Sequence, residues 1–507
     1  MSRETFAERL RASMSERGLK QADLIRLASE RGDKLGKSQV SQYASGKVEP
    51  RADTCALLAD LLGVDASWLA TGEGTPDAAR AAARPETAFQ PTPIPAIKRS
   101  APMREFKKSS KLENVLYDVR GPVADEAARM EDEGLRILKL NIGNPAPFGF
   151  RTPDEVVHDM RQQLPDCEGY SDSRGLFSAR KAIMQYAQLK HLPNVSMDGI
   201  YTGNGVSELI QLCMNALLDT GDEILIPSPD YPLWTACATL AGGTPVHYLC
   251  DEQAEWNPDL QDIESKVTSN TKAIVIINPN NPTGAVYPRE VLEQIVEIAR
   301  RHQLMIFSDE IYDRLCMDGH EHVSIAALAP DLPCVTFSGL SKSHMIAGYR
   351  IGWMVLSGNR RCMRDFVYGI NMLSNMRLCS NVPAQSVVQT ALGGYQSVER
   401  YVEPGGRVYE QRNFVYEALN AIDGITAVKP KAAFYIFPKI DVKKFNITDD
   451  EQFALDLLHE KRILITRGGG FNWPEPDHFR IVYLPRMEVL REAMGDLADF
   501  FAHYRQD

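Results

Sequence analysis

Ser338-Gly339-Leu340-Ser341-Lys342, with Ala347-Gly348-Tyr349-Arg350-Ile351-Gly352-Trp353 close behind, is the stretch on which this chain turns. It puts one lysine in a loop of small residues and an arginine eight positions later, among glycines. A lysine amine condenses with an aldehyde, an arginine forks onto a phosphate, and glycine lets backbone come close to a ligand. The stretch therefore suits an aldehyde cofactor that carries a phosphate. Alone, a lysine beside serines is more often a solvated surface residue, so its neighbours along the chain decide.

Upstream, Ala273-Ile274-Val275-Ile276-Ile277 has the unbroken apolar character of a buried strand in a parallel sheet. Asn278-Pro279-Asn280-Asn281-Pro282-Thr283-Gly284 follows it as a loop at the strand's carboxyl end, where open α/β sheets bind ligands. The same residues also suit an ordinary turn. A second apolar strand, Leu304 to Phe307, runs into Ser308-Asp309-Glu310-Ile311-Tyr312-Asp313. An aspartate in that place either caps the next helix or pairs with the protonated ring nitrogen of a cofactor.

The order NPNNPTG, SDEIYD, SGLSK, AGYRIGW resembles the fold-type I, class I/II aminotransferases, which depend on pyridoxal 5′-phosphate (PLP), over roughly residues 110–507. Gly203-Asn204-Gly205-Val206-Ser207-Glu208, Pro229-Asp230-Tyr231-Pro232-Leu233-Trp234 and Asp477-His478-Phe479-Arg480-Ile481-Val482 resemble, within that family, bacterial alanine (glutamate–pyruvate) aminotransferases. The resemblance implies a large domain with a mostly parallel central sheet and a smaller α/β domain. It implies that Lys342 forms the Schiff base, Asp309 binds the pyridine nitrogen, and Tyr312 and Asn281 contact the ring's phenolic oxygen. Arg350 and the backbone N–H groups of Val206 and Ser207 would hold the phosphate, the last two at a helix start that favours an anion. One of Ser338 and Ser341 would join them. Tyr231 would stack on the ring, and Tyr170 would reach the phosphate of a second subunit, so a homodimer is expected. Gly143, Asn281 and Arg480 would bind the substrate carboxylate. By position alone Arg480 is more often a surface salt-bridge residue, but the strand-like run Phe479 to Leu484 and the family pattern reverse that.

With 507 residues, 44% hydrophobic and 24% charged, the chain suits a globular protein of more than one domain. A net charge of -11 gives no bulk attraction to nucleic acid. The 9 cysteines show no metal-ligand spacing, and no metal is expected. The charged opening Met1-Ser2-Arg3-Glu4 lacks an apolar signal core, and no apolar run is long enough to span a bilayer, so a cytoplasmic protein with reduced thiols is expected.

Residues 1–74 have a different character. Phe6, Leu10 and Met14 repeat at helical spacing, Gln21 to Ala28 start a second helix, Ser38 to Ala44 a third, and Cys55 to Leu62 a fourth closed by Gly63. Lys20-Gln21-Ala22-Asp23-Leu24, Ser38-Gln39-Val40-Ser41-Gln42-Tyr43, Gly46-Lys47 and Ala66-Ser67-Trp68-Leu69 resemble Cro/C1-type (XRE) helix-turn-helix domains. The third helix would then enter the major groove with Ser38, Gln39 and Gln42 toward base edges, while Lys37, Lys47 and Arg51 meet phosphates. The connection through Glu30 to Gly36 departs from that pattern by about two extra residues. Interleaved Asp23, Glu30, Asp33 and Glu49 leave a domain that binds only protein as the alternative.

Residues 75–110, rich in Pro and Ala and ending in Lys98, Arg99, Arg104, Lys107 and Lys108, read as a basic tether before the domain at 111–507. Its flexible span of roughly 35 Å matches one turn of DNA. The expected function is transfer of an amino group between an L-amino acid, alanine or glutamate, and a 2-oxo acid, pyruvate or 2-oxoglutarate, joined to sequence-specific DNA binding. A regulator that uses the aminotransferase fold as a sensor is the alternative. β-Elimination or decarboxylation on the same fold is a third course, which the alanine-type likeness disfavours.

Overall fold

A computed structural model describes residues 4–76, 104–113, 115, 117 and 121–507. The chain divides into two compact units, Met1–Phe106 and Lys107–Asp507. Most of the tether read at 75–110, Lys98 and Arg99 included, lies outside the described residues.

Among the described residues the first unit holds five helices: α1 (Phe6–Glu16), α2 (Gln21–Glu30), α3 (Lys37–Ala44), α4 (Ala52–Leu62) and α5 (Ala66–Thr71). The apolar spacing of the sequence becomes one small core of Phe6, Leu10, Leu24, Val40, Leu58, Leu62 and Leu69. Thr5 starts α1 with a reciprocal cap, accepting from Glu8 N at 3.4 Å while Glu8 Oε2 accepts from Thr5 N at 2.6 Å. Gly63 ends α4 at φ 55°, where a side chain is strained. Buried Arg9 on α1 donates to Leu69 O at 3.0 Å and Ala70 O at 2.8 Å, tying the carbonyl end of α5 to α1. The connection between α2 and α3 is Arg31–Gly36, anchored by buried Leu35.

In the second unit a short strand β1 (Leu138–Lys139) precedes β2 (Ile200–Gly203), β3 (Glu223–Ser228), β4 (Thr244–Asp251), β5 (Asn257–Pro258), β6 (Thr271–Ile277), β7 (Met305–Asp309), β8 (Pro333–Gly339) and β9 (Gly352–Gly358). These eight form one sheet in the order β2-β9-β8-β7-β6-β3-β4-β5. The five strands from β8 to β4 run parallel, whereas β9 is antiparallel to both β2 and β8, and β5 to β4. Along β6, Ile274 and Ile276 enter the core under helix Arg289–Arg301, while Ala273, Val275 and Ile277 enter the core under helix Val206–Leu217. Covering both faces is why this strand is a continuous apolar run rather than an alternating one. Each of these isoleucine and valine side chains contributes about 1.5–3 kcal/mol on burial.

Smaller pairings follow: β10 (Ile425–Thr426), β11 (Tyr435–Ile436), β12 (Lys439–Ile440), β13 (Ile463–Leu464), β14 (Thr466–Arg467) and β15 (Phe479–Val482). β15 lies between β11 and β14, antiparallel to each, and β1 pairs parallel with β13. Helices Arg407–Asn420, Asp450–Lys461 and Met487–His503 close over them with Val415, Phe453, Leu457 and Phe500 in the core. The architecture is α/β with a mostly parallel large sheet, a smaller α/β part and a helical front end.

Candidate active site

The parallel strands end at one edge of the large sheet, and the chain's chemistry collects there. β2 ends at Gly203, and helix Val206–Leu217 begins after Gly205. β6 ends at Ile277 before the Asn278–Gly284 loop; β7 ends on Asp309 itself; β8 ends at Gly339, and Lys342 follows in the one-turn helix Leu340–Ser343. Antiparallel β9 starts at the same edge, just after Arg350. The smaller part adds Asn141 and Gly143 beyond β1, Tyr435 on β11 and Arg480 on β15. Together they enclose a cavity of about 380 Å³.

Lys342, Asp309, Tyr312, Val206, Ser207, Tyr231, Asn281, Ser341, Arg350, Gly143 and Arg480, all singled out from sequence, line this one cavity. Ser338 does not line it: it is buried inside the β8–β9 ladder opposite Trp353, because the strand continues one residue further to Gly339. Tyr170 is 81% exposed and does not line the cavity of its own chain.

Lys342 Nζ donates to Gly143 O at 2.6 Å. Asp309 is buried, and its carboxylate accepts from Ile311 N at 3.3 Å and from Trp234 Nε1 at 3.4 Å. Burial pushes its pKa up to about 6. The Tyr312 and Tyr435 hydroxyls lie 2.7 Å apart, and burial holds the Tyr312 phenol well above its ordinary range. Arg480 is 4% exposed, between the rings of Tyr435 at 4.5 Å and Phe471 at 4.6 Å. It donates to Asn281 Oδ1 at 3.0 Å and to Asn141 O, while its Nε has no partner. Burial lowers its pKa, and its hydrogen-bond partners are amide and carbonyl oxygens rather than a carboxylate.

Glycines leave room at the other end of the cavity. A Cβ on Gly205, which sits at φ 84°, would come within 2.4 Å of Arg350 Nη2, and one on Gly352 within 2.6 Å of Val206 N. Arg350 itself has a left-handed backbone, φ 56°, and donates to Ala347 O at 2.9 Å and Asn204 O at 3.2 Å. The first N–H groups of helix Val206–Leu217, having no carbonyl one turn back, open here with the arginine. On the carboxylate side, a Cβ on Gly143 would meet Tyr435 Oη at 2.0 Å.

Residues 136–497 match the family Aminotransferase class I and II. The chain belongs to that family. This class I/II aminotransferase is 59% identical over 404 residues to the glutamate-pyruvate aminotransferase AlaA of Haemophilus influenzae, covering 80% of this chain and 100% of the relative. It is 55% identical to an alanine aminotransferase of Mycobacterium tuberculosis, covering 80% of this chain and 94% of that one. Among solved structures, an aminotransferase from Escherichia coli superposes with a TM-score of 0.79 at 57% identity, covering 80% of this chain and all of that one. The alanine aminotransferase of Pyrococcus furiosus gives 0.74 at 38% identity, covering 78% of this chain and 100% of its own. Residues 9–69 match a helix-turn-helix family. The aminotransferase is a PLP-dependent enzyme with an N-terminal helix-turn-helix domain.

The cavity fits the cofactor. Its anion-binding end has Arg350, a helix start and two positions that favour glycine; its middle has a buried carboxylate suited to a cationic ring nitrogen. At its far end, Arg480 keeps a buried charge with no acid beside it, an expensive state that a ligand carboxylate relieves.

Tyr435, Asn141 and Trp234 were not assigned roles from sequence. Trp234 sits inside a stretch that carries the family likeness and Asn141 two residues before Gly143; Tyr435 lies on a two-residue strand that leaves no periodic signal. In the helix-turn-helix unit Lys37, Ser38, Gln39, Gln42, Lys47 and Arg51 are all exposed. Gln39 differs from the expectation in one respect: its Oε1 accepts from Gly36 N at 2.9 Å, capping its own helix.

Proposed function

We propose that the protein transfers the amino group of an L-amino acid, alanine or glutamate, to a 2-oxo acid, pyruvate or 2-oxoglutarate, and that residues 1–74 bind a specific DNA sequence. The buried fork of Arg480, without a carboxylate of its own, carries the catalytic half: it takes the substrate's α-carboxylate, with Asn281 and Gly143 beside it. When bound, PLP supplies an aldehyde for amine exchange and a ring that spreads the charge left by loss of the α-proton. Lys342 Nζ holds the cofactor and then moves the proton away from the substrate α-carbon. Asp309 keeps a positive charge at the ring nitrogen, Tyr312 and Asn281 bond the ring oxygen, and Tyr231 covers the ring. Arg350, Ser341 and the N–H groups of Val206 and Ser207 hold the phosphate.

A homodimer belongs to the proposal. Tyr368, Met372 and Met376, one turn apart along helix Arg364–Met376, are 66%, 50% and 74% exposed. The segment next to Tyr170 joins that helix, Ser173 Oγ lying 2.7 Å from Asn375 Oδ1. Such an apolar face beside Tyr170 suits a second subunit that receives this tyrosine. A cytoplasmic location accords with the free thiols of all nine cysteines. No helix among the described residues is long and apolar enough to cross a membrane.

The helix-turn-helix domain favours one second reading, a regulator that uses the enzyme fold to sense an amino acid. A single-turnover absorbance scan with a panel of amino acids separates the two when each reaction is chased with pyruvate or 2-oxoglutarate. Alanine and glutamate should convert the bound cofactor, and the oxo acid should return it; binding without conversion would leave the sensor. The Haemophilus relative consists of the aminotransferase part alone, so deleting residues 1–74 should leave turnover within about two-fold and abolish DNA affinity. Unchanged DNA affinity would exclude the front end as the reader.

A further inference from the structure

The stretch from Asp309, the last residue of β7, to Asp313 carries two pairs of side chains three residues apart that face opposite ways. Asp309 and Tyr312 line the cavity. Glu310 and Asp313 are directed instead onto one cation, Lys190, which closes helix Phe177–Leu189. Lys190 Nζ donates to Asp313 Oδ2 at 2.8 Å and to Glu310 Oε2. The carboxylates are almost wholly buried, with side chains 0% and 3% exposed for Glu310 and Asp313. Ser308 and Ser324 donate to Glu310 Oε1 at 2.9 and 2.6 Å, and Tyr186 donates to Asp313 Oδ2 at 2.5 Å. Burial alone would lower the pKa of Lys190, but Asp313 and Glu310 outweigh it and hold it raised. Glu310, Asp313 and His322 have the spacing of a metal site. The ammonium already bonds both carboxylates, so the cluster is a buried ion triad.

We propose that Lys190 is a positioning residue for the reaction: by pinning Glu310 and Asp313 behind the turn, it sets where Asp309 and Tyr312 meet the cofactor. The inference rests on the proposed roles of those two residues. Its physical basis is that both faces belong to one short turn. Glu310 N is bonded to Phe337 O at 2.9 Å and Asp313 N to Glu310 O at 3.1 Å, so the back pair cannot shift without moving the front pair. A misplacement of even 1 Å at a reacting group costs about 100-fold in rate. Removing the ammonium leaves two buried carboxylates without a counter-charge, which drives the turn to rearrange or take up a proton.

The test uses the full-length, cofactor-loaded enzyme and its Lys190→Met, Lys190→Arg, Asp313→Asn and Asp309→Asn variants. The readouts are the pH midpoint of the bound cofactor's visible absorbance, the cofactor dissociation constant, and kcat and KM measured separately. Lys190→Met should move the midpoint by about half a pH unit or more. It should lower kcat roughly ten-fold or more and leave KM for alanine within about three-fold, with Lys190→Arg recovering part of the loss. Asp313→Asn should change the same quantities in the same direction, and it decides the matter if Lys190→Met does not fold. A variant that loses melting temperature but keeps the wild-type midpoint and kcat would overturn the proposal and leave Lys190 a purely structural residue. If Asp309→Asn moves the midpoint and the Lys190 and Asp313 variants do not, the clamp alone fails. If none of them moves it, the assignment of Asp309 to the ring fails as well.

Discussion

Arg480 and Asp309 carry the same physical tension, each a charge withdrawn from water before its ligand arrives. For Arg480 the fork geometry matters beyond the charge. Replacing it with lysine keeps the cation but loses the planar pair of donors, so Arg480→Lys should reduce kcat/KM for alanine about 100-fold, as steady-state kinetics would show. For Asp309 the pKa of about 6 in the fold compares with about 3.9 in an unfolded chain. The folded protein binds this proton more tightly, so the cofactor-free enzyme loses stability as pH rises from about 4 through 6. The full cost, about 3 kcal/mol, is present above that window. Asp309→Asn should therefore stabilise the cofactor-free protein at pH 8, with a smaller gain at pH 5, as denaturant melts at the two pH values would reveal. The same change should remove turnover. Lys342 and Arg480 were legible in sequence because each sits in a distinctive motif. The Tyr312–Tyr435 contact was not, since 123 residues separate its members and only packing of the two parts joins them.

At the scale of elements, the junction from β2 into helix Val206–Leu217 shows how local conformation and ligand chemistry meet. Gly205 holds φ 84°, and its missing side chain is where Arg350 passes. Gly205→Ala should cost about 1–3 kcal/mol in stability, because φ 84° with ψ 165° is backbone that only glycine adopts freely. By displacing Arg350 it should also raise the cofactor dissociation constant at least ten-fold, which equilibrium dialysis would measure. The strands that hold the site were readable wherever both faces are buried, as in β6 and β7, because an unbroken apolar run has few other uses. The strands of the smaller part were harder to read: β11, β13 and β14 are two residues long, too short for any period. The helices of the front end followed their apolar spacing closely. Gln39 shows the limit, because a side chain read as facing bases is folded back on the start of α3.

At the scale of the whole molecule, the exposed face of Tyr368, Met372 and Met376 is the surface on which the proposed dimer depends. Met376→Glu would bury an unpaired charge there, so it should weaken self-association at least 30-fold, read by sedimentation across a concentration series. A variant that stays dimeric at the same concentrations would move the interface elsewhere. Local order along the chain was enough to identify two units of different kind and the ligand-binding loops, because turn chemistry, strand composition and motif spacing are properties of neighbouring residues. Which serine faces the cavity, the fork of Arg480 against Asn281, and the grip of Lys190 behind the Asp309 turn were decided by tertiary structure alone. The serine is settled by the β8–β9 register, which sets Ser338 opposite Trp353, and the other two join groups 120 to 199 residues apart, distances that only packing sets.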